Sequence, residues 1–129
     1  MNQKAGILII EDDVPTATMI VNVLSHAGCN VIAVHTGKKG MELAHARKFD
    51  LIVLDIDLPD VNGFEVCRDL KQRHLSHRTP IIFISGRLSD EDKQRGLELG
   101  AVDYVPKPFA GIDLVSRLLS HIKLEKAYV

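Results

Sequence analysis

The chain has 129 residues, enough to bury the core of one domain and too few for two domains of ordinary size. Lys and Arg number 16 and Asp and Glu 17, a formal net charge of −1, so no overall field favours nucleic acid or an anionic membrane. The two cysteines argue against a disulfide scaffold or a thiolate zinc site. No segment has the length of a secretory signal or a membrane span, and we expect one cytoplasmic domain over residues 1–129.

Short apolar runs alternate with helical patterns along the chain. Runs rich in Ile and Val are typical of strands that are covered on both faces, as in parallel sheets. In chain order, the pattern predicts a strand at 7–10, a helix from Pro15 to Gly28, a strand at 29–34, a helix at 37–47, a strand at 51–54, a helix at 64–73, a strand at 81–84, a helix at 90–99, a strand at 104–105 and a helix from about 112 to 124.

This fivefold alternation of strand and helix predicts an α/β fold. Right-handed crossovers place helices on both faces of a parallel sheet, which gives a doubly wound, three-layer sandwich. The flavodoxin-like (βα)5 version of this fold has the strand order 2-1-3-4-5.

Polar residues follow the predicted strands. Ligands of such sheets bind beyond the carboxyl ends of the strands, where the strand order reverses. The residues at these ends are Glu11, Asp12 and Asp13 after the first strand, Asp55 after the third, Ser85 after the fourth and Lys107 after the fifth.

These residue types together indicate phosphoryl transfer. Clustered carboxylates repel each other unless a cation lies between them, and Mg²⁺ suits an open site with oxygen ligands. Asp55 would be the nucleophile, with Lys107 and the Ser85 hydroxyl as donors to the phosphoryl oxygens. The competing interpretation is that Asp12 or Asp13 only caps the helix that begins near Pro15.

Four segments carry a resemblance to a known family. They are ILIIEDD, DLIVLDIDLPDVNGFEV, PIIFISG and GLELGAVDYVPKPF, in this order. Together they make nearly the whole chain similar to the response regulator receiver domains of bacterial two-component signalling. The resemblance implies that Asp55 accepts a phosphoryl group from a phosphohistidine on a partner histidine kinase or phosphotransfer protein.

The resemblance also implies roles at the metal site. Asp12 and Asp55 would bind Mg²⁺ directly, Glu11 would act through water, and the backbone carbonyl of Asp57 would complete the protein ligands. Lys107 would pair with the phosphoryl group, and the Lys107–Pro108 peptide bond would be cis.

Two switch residues follow from the same resemblance. Ser85, at a position where Thr is common, would move toward the phosphoryl group and hydrogen-bond it. Tyr104 would then turn inward into the space that Ser85 leaves. Phosphorylation would thereby shift an existing equilibrium between two conformations. We also hypothesise that Asp57 and Arg87 approach each other across the cleft mouth and tune hydrolysis of the acyl phosphate.

The face formed by helix 4, strand 5 and helix 5 is the output surface that the resemblance implies. It would control a downstream effector protein or domain, and the domain itself would bind neither nucleic acid nor a membrane directly. Lys93, Asp103, Asp113 and Arg117 match charged positions in one dimer-forming subgroup, while Val102 replaces a frequent acid, so a homodimer through this face is an expectation.

Receivers catalyse their own phosphorylation and dephosphorylation once per signal, which makes this a switch rather than a metabolic enzyme.

Two other classes compete with this interpretation. Asp55-Ile56-Asp57 imitates the D-x-D pair of haloacid-dehalogenase-type phosphatases, although that family places the pair on its first strand and adds a cap domain. A flavin or nucleotide binder would need a phosphate loop after the first strand, where this chain has EDDVP.

His74 and His77 are too few for a zinc site, and no histidine is expected beside the acidic cluster.

Overall fold

The computed structural model describes residues 4–73, 79–87 and 89–122. Its strands and helices alternate along the chain, as the apolar runs predict. The strands are β1 (Gly6–Ile10), β2 (Asn30–Val34), β3 (Leu51–Asp55), β4 (Ile81–Ser85) and β5 (Asp103–Pro106). Within the described residues, the helices are α1 (Val14–His26), α2 (Gly37–Ala46), α3 (Gly63–Gln72), α4 (Asp90–Glu98) and α5 (Gly111–Leu119).

The strands form one parallel sheet in the order β2-β1-β3-β4-β5, which confirms the predicted topology. Every residue of β3 and β4 is buried, because helices cover both faces of the central strands. The order reverses between β1 and β3, so the carboxyl ends of these two strands lie side by side.

Two apolar clusters fill the space between the sheet and its helices. Alternate residues of a strand point to opposite faces, so Ile7 and Ile9 of β1 pack with α1 and α5 while Leu8 and Ile10 pack with α2 and α3. In the cluster that contains Leu8 and Ile10, the ring of Phe83 contacts that of Phe64 edge-on, with 5.2 Å between their centroids. The result is the expected three-layer sandwich.

The predicted helix ends are mostly confirmed. Gly28 and Gly100 follow α1 and α4 with φ of +91° and +106°, a backbone region that glycine adopts without strain. Ser89 caps α4 through a 3.0 Å hydrogen bond from the Asp92 backbone N–H.

Helix α5 is shorter than predicted. It ends at Leu119 rather than near residue 124, although Ile122 still packs on the core. Beyond Leu119 the backbone N–H groups of His121 and Ile122 bond three residues back, and the His121 ring bonds Asp103. Residues 123 and 124 lie outside the described residues, as do His74 and His77.

Two further features bear on the earlier predictions. Cys29 and Cys67 are buried free thiols, and the Lys107–Pro108 peptide bond is cis. Among the described residues, no helix is both long and apolar enough to cross a membrane.

Candidate functional site

The strand register brings the predicted site residues to one edge of the sheet. Ile10 pairs with Leu54, so Glu11 and Asp55 leave adjacent strands at the same level. Asp55 pairs with Ile84, the residue before Ser85, and Ser85 in turn pairs with Pro106, the residue before Lys107. The four strand ends that the sequence singles out are therefore neighbours at the carboxyl edge of the sheet.

An acidic cluster occupies the point where the strand order reverses. Carboxylate oxygens of Glu11, Asp12 and Asp55 all lie within 4.8 Å of one another. Glu11 is fully buried and Asp55 is 4% exposed, whereas Asp12 faces solvent. The cluster is thus closed at its base and open on the side of Asp12.

Lys107 is the counter-charge at the base of this cluster. Its Nζ lies 3.1 Å from Asp55 Oδ2 and forms an ion pair with Glu11 Oε1. Partial burial opposes the charge of Lys107, but the hydrogen bonds and charges of Glu11 and Asp55 outweigh it and raise the pKa of the ammonium group. Lys107 is therefore firmly protonated next to the Asp55 carboxylate.

The Glu11 carboxyl group is costly to ionise in this position. Burial, followed by the nearby Asp55 carboxylate, raises its pKa to about 7, against the opposing contacts with Lys107 and the Asp13 backbone N–H. Its Oε1 pairs with Lys107 by charge but has no well-directed hydrogen bond from any described residue. Three clustered carboxylates form an oxygen-only ligand set that fits a hard divalent cation such as Mg²⁺.

Asp13 has a different role from its two acidic neighbours. It is the N-cap of α1, and its Oδ2 accepts a hydrogen bond of 3.0 Å from the Thr16 backbone N–H. The capping interpretation therefore holds for Asp13, whereas Asp12 belongs to the acidic cluster.

Ser85 and Tyr104 meet at the backbone of Arg87. The Ser85 hydroxyl is fully buried and accepts a 3.1 Å hydrogen bond from the Arg87 N–H. The Tyr104 ring packs in the core with its hydroxyl donating to the Arg87 carbonyl, so the aromatic side chain points inward. The two predicted switch residues are thus both hydrogen-bonded to the backbone of Arg87.

Asp57 and Arg87 approach each other across the cleft mouth, as predicted. Arg87 Nη2 lies 2.9 Å and Nε 3.1 Å from Asp57 Oδ1, and this contact raises the pKa of the guanidinium group. Asp92 of α4 adds a longer contact of 3.8 Å from Arg87 Nη1, which the sequence pattern does not reveal.

One expectation about the histidines is wrong. His35 does adjoin the acidic cluster: its Nδ1 lies 2.9 Å from the backbone carbonyl oxygen of Glu11. The reason is that the ladder between β1 and β2 continues past the strand ends, with the Glu11 N–H bonded to the Val34 carbonyl, so the next residue is carried to the cluster. An imidazole one residue beyond a strand adjacent to β1 was the available signal.

Two of the four charged residues at the expected output face pair within the chain. Arg117 of α5 binds Asp103 of β5 through two hydrogen bonds of 2.7 and 2.8 Å, and His121 Nε2 lies 3.0 Å from the same carboxylate. Although burial opposes ionisation, these partners lower the pKa of Asp103 to about 2. The neighbouring surface is partly apolar, since Ile112 is 81% exposed.

Fold and site together define an α/β domain with an acidic, lysine-paired aspartate at the switch point of a parallel sheet. The chain belongs to the response regulator receiver domain family, whose model matches residues 7–119. Receiver domains are phosphoacceptor switches of two-component signalling that bind Mg²⁺ in an acidic pocket. The phosphatase and flavin-binding alternatives are thereby set aside.

Individual relatives agree with this family. The cell cycle response regulator CtrA of Brucella ovis is 38% identical over 122 residues, which cover 95% of this chain and 52% of the relative. The chain therefore spans about half the length of the curated relatives it matches.

Two solved structures show how closely the fold is shared. The chemotaxis response regulator CheY4 of Vibrio cholerae superposes with a TM-score of 0.88 at 28% identity, covering 93% of this chain and 100% of that one. The non-phosphorylated HemR receiver domain of Leptospira biflexa gives 0.86 at 31% identity, with 94% and 96% covered.

Proposed function

We propose that this domain is a signalling switch in which Asp55 accepts a phosphoryl group from the phosphohistidine of a histidine kinase or phosphotransfer protein. The observation that carries the proposal is the position of the Asp55 carboxylate, which is almost buried between the Lys107 ammonium group and the acidic cluster. In the transfer, a bond forms between an Asp55 oxygen and phosphorus, the P–N bond of the donor breaks, and the leaving imidazole takes up a proton. The cytoplasm remains the expected location.

The residues around Asp55 would divide the work of this transfer. Asp12 and Asp55 would hold Mg²⁺ directly, Glu11 through water, and Asp57 through its backbone carbonyl; the ion would offset the negative charge of the incoming phosphoryl oxygens. Lys107, already 3.1 Å from Asp55, would exchange part of its contact with the carboxylate for one with a phosphoryl oxygen.

The transmission of the signal would begin at Ser85. A hydrogen bond from its hydroxyl to the phosphoryl group would draw the 85–87 segment toward Asp55, and Tyr104 is tied to that segment through the Arg87 carbonyl. Arg87 also contacts Asp92 of α4, so the movement would reach the α4-β5-α5 face. That face would then control an effector protein or domain, or form a homodimer.

The surface beside the site suits a protein donor. A cavity of about 320 Å³ borders Lys107 and is lined mainly by apolar or uncharged groups of Thr16, Met19, Pro108 and Phe109. The apolar rim of this cavity would give the protein that carries the donor histidine a contact that excludes water. This supports a macromolecular phosphodonor in preference to a free metabolite.

The direct test is labelling with a small phosphodonor. We expect acetyl phosphate and Mg²⁺ to add one acid-labile phosphoryl group to the wild-type chain, and none to Asp55→Asn or to wild type in excess EDTA. Asp57→Asn is the matched control, because it removes a nearby carboxylate but keeps the backbone carbonyl. Labelling that persists in Asp55→Asn, or that is lost equally in Asp57→Asn, would contradict the assignment of the acceptor.

A further inference from the structure

A short segment between β2 and α2 contacts both loops of the candidate metal site. We call residues 35–38 the brace. On one side, the His35 Nδ1 bonds the Glu11 carbonyl at 2.9 Å, and since a carbonyl oxygen can only accept, Nδ1 carries the proton. That carbonyl belongs to the peptide bond that leads into Asp12, so the bond fixes the backbone of the acidic loop.

On its other side, the brace is bound by the loop that follows the phosphoacceptor. Asp60 Oδ1 accepts a hydrogen bond of 2.8 Å from the Gly37 N–H, and Oδ2 accepts one of 2.9 Å from the Lys38 N–H. These N–H groups are at the start of α2, where they have no partner within the helix and where the helix dipole favours a negative charge. Asp60 thus joins the loop of Asp57 to the brace.

Packing tightens the same contact. A Cβ on Gly37 would lie 2.2 Å from Val61 Cγ1 and 3.0 Å from Val66 Cγ2, so the start of α2 rests directly on the loop. At the far end of this loop, the Gly63 N–H bonds the Ile56 carbonyl at 2.8 Å. This hydrogen bond joins the two ends of the loop between Ile56 and Gly63, and Asp60 and Val61 in its middle contact the brace.

We propose that the brace sets the distance between the two loops that hold Mg²⁺, which makes His35 and Asp60 positioning residues for the metal site. The proposal rests on the proposed function. The β1–β3 ladder has its last register pair at Ile10 and Leu54, so the metal-binding loops extend beyond it. Lys107 links the side chains of Glu11 and Asp55 but not the two backbones, whereas the brace bonds both loops directly.

The test is the affinity for Mg²⁺ alone, measured by calorimetric titration at fixed pH and ionic strength. Hydrogen bonds that orient metal ligands from outside the ligand shell are worth about 10- to 100-fold in affinity. We expect His35→Ala and Asp60→Asn each to weaken Mg²⁺ binding about tenfold. The double variant should lose less than the product of the two single losses, because both contacts act through one segment.

Thr36→Ala is the matched control. Thr36 lies within the brace and caps α2 through a 3.2 Å hydrogen bond from the Lys39 N–H, but it is not bonded to either loop in the described hydrogen-bond network. If the contacts only stabilise the helix, Thr36→Ala and Asp60→Asn will lower the melting temperature alike and leave Mg²⁺ affinity unchanged. If the brace positions the site, Thr36→Ala will bind Mg²⁺ as wild type does.

The outcomes separate the two proposals. Wild type that binds Mg²⁺ alongside variants that bind it equally well overturns the brace and leaves the proposed function standing. Wild type that does not bind Mg²⁺ overturns both. His35 is exposed, so His35→Ala is expected to fold even if Asp60→Asn does not, and the affinity of His35→Ala then decides alone.

Discussion

Replacing Glu11 by Gln is expected to stabilise the metal-free domain above neutral pH. Glu11 is fully buried, and its pKa rises from an ordinary 4.5 to about 7 because of burial and the adjacent Asp55. Between these two pH values the folded chain holds a proton that the unfolded chain has lost. Stability from this group is therefore fully present below about pH 4.5 and is lost as the pH rises through about 7.

The size of the effect follows from the shift. One pKa unit corresponds to about 1.4 kcal/mol, so a shift from 4.5 to about 7 corresponds to a loss of about 3 kcal/mol in the free energy of unfolding. Gln resembles the neutral carboxylic acid in shape and cannot ionise. The variant should thus exceed wild type by about 3 kcal/mol near pH 8.5, and the difference should shrink as the pH falls from about 7 towards 4.5.

Urea unfolding in EDTA, measured from pH 5 to 8.5 for both proteins, tests this expectation. The difference between the proteins cancels the titration of all other groups to first order. Mg²⁺ should then stabilise wild type more than Glu11→Gln, because the variant lacks the carboxylate that attracts the ion. A difference that does not change with pH, or a variant that is less stable than wild type at pH 8.5, would refute the reasoning.

Three further outcomes are expected. Asp57→Asn and Arg87→Ala should change the rate of dephosphorylation by up to about fivefold, since an exposed ion pair is worth about 0 to 1 kcal/mol; rates equal to wild type would contradict the hypothesis that this pair tunes hydrolysis of the acyl phosphate. Gly63→Ala should cost at least about 2 kcal/mol in urea unfolding, because the new Cβ would lie 2.2 Å from the Asp55 carbonyl oxygen, while Gly86→Ala, with nothing within 4 Å, should be near neutral. Asp103→Asn should be less stable than wild type at pH 7 by about 1 to 2 kcal/mol, and acid titration should remove the difference as the pH falls from 3.8 towards 2; a constant difference would contradict the lowered pKa.

Most of the fold and the membership of the acidic site could be predicted from local sequence. The buried strands are continuous apolar runs, and the residue that ends each run defines the carboxyl edge of the sheet once the strand order is known. Asp55, Ser85 and Lys107 meet for this reason. Glycines at the ends of α1 and α4 mark their stops equally well, since the backbone there has positive φ.

The contacts that the sequence does not reveal are those between one loop and another. Asp60 is an unremarkable acid in a polar turn, and only the packing of the β3–α3 loop on α2 makes it a cap for a helix that begins 23 residues earlier. His35 reaches Glu11 for a similar reason, through the register of β1 and β2. The contact of the His121 ring, just after α5, with Asp103 of β5 is a further one of this kind.

The spread of the candidate site over the chain has a consequence for synthesis. Its acid, its hydroxyl and its lysine come from separate strands, and Lys107 follows the edge strand β5, the last to be made. On the proposed function, a nascent or partly unfolded chain offers a kinase an aspartate without its ammonium partner. The domain would then accept a phosphoryl group only after β5 has joined the sheet, so only fully folded copies would transmit the signal.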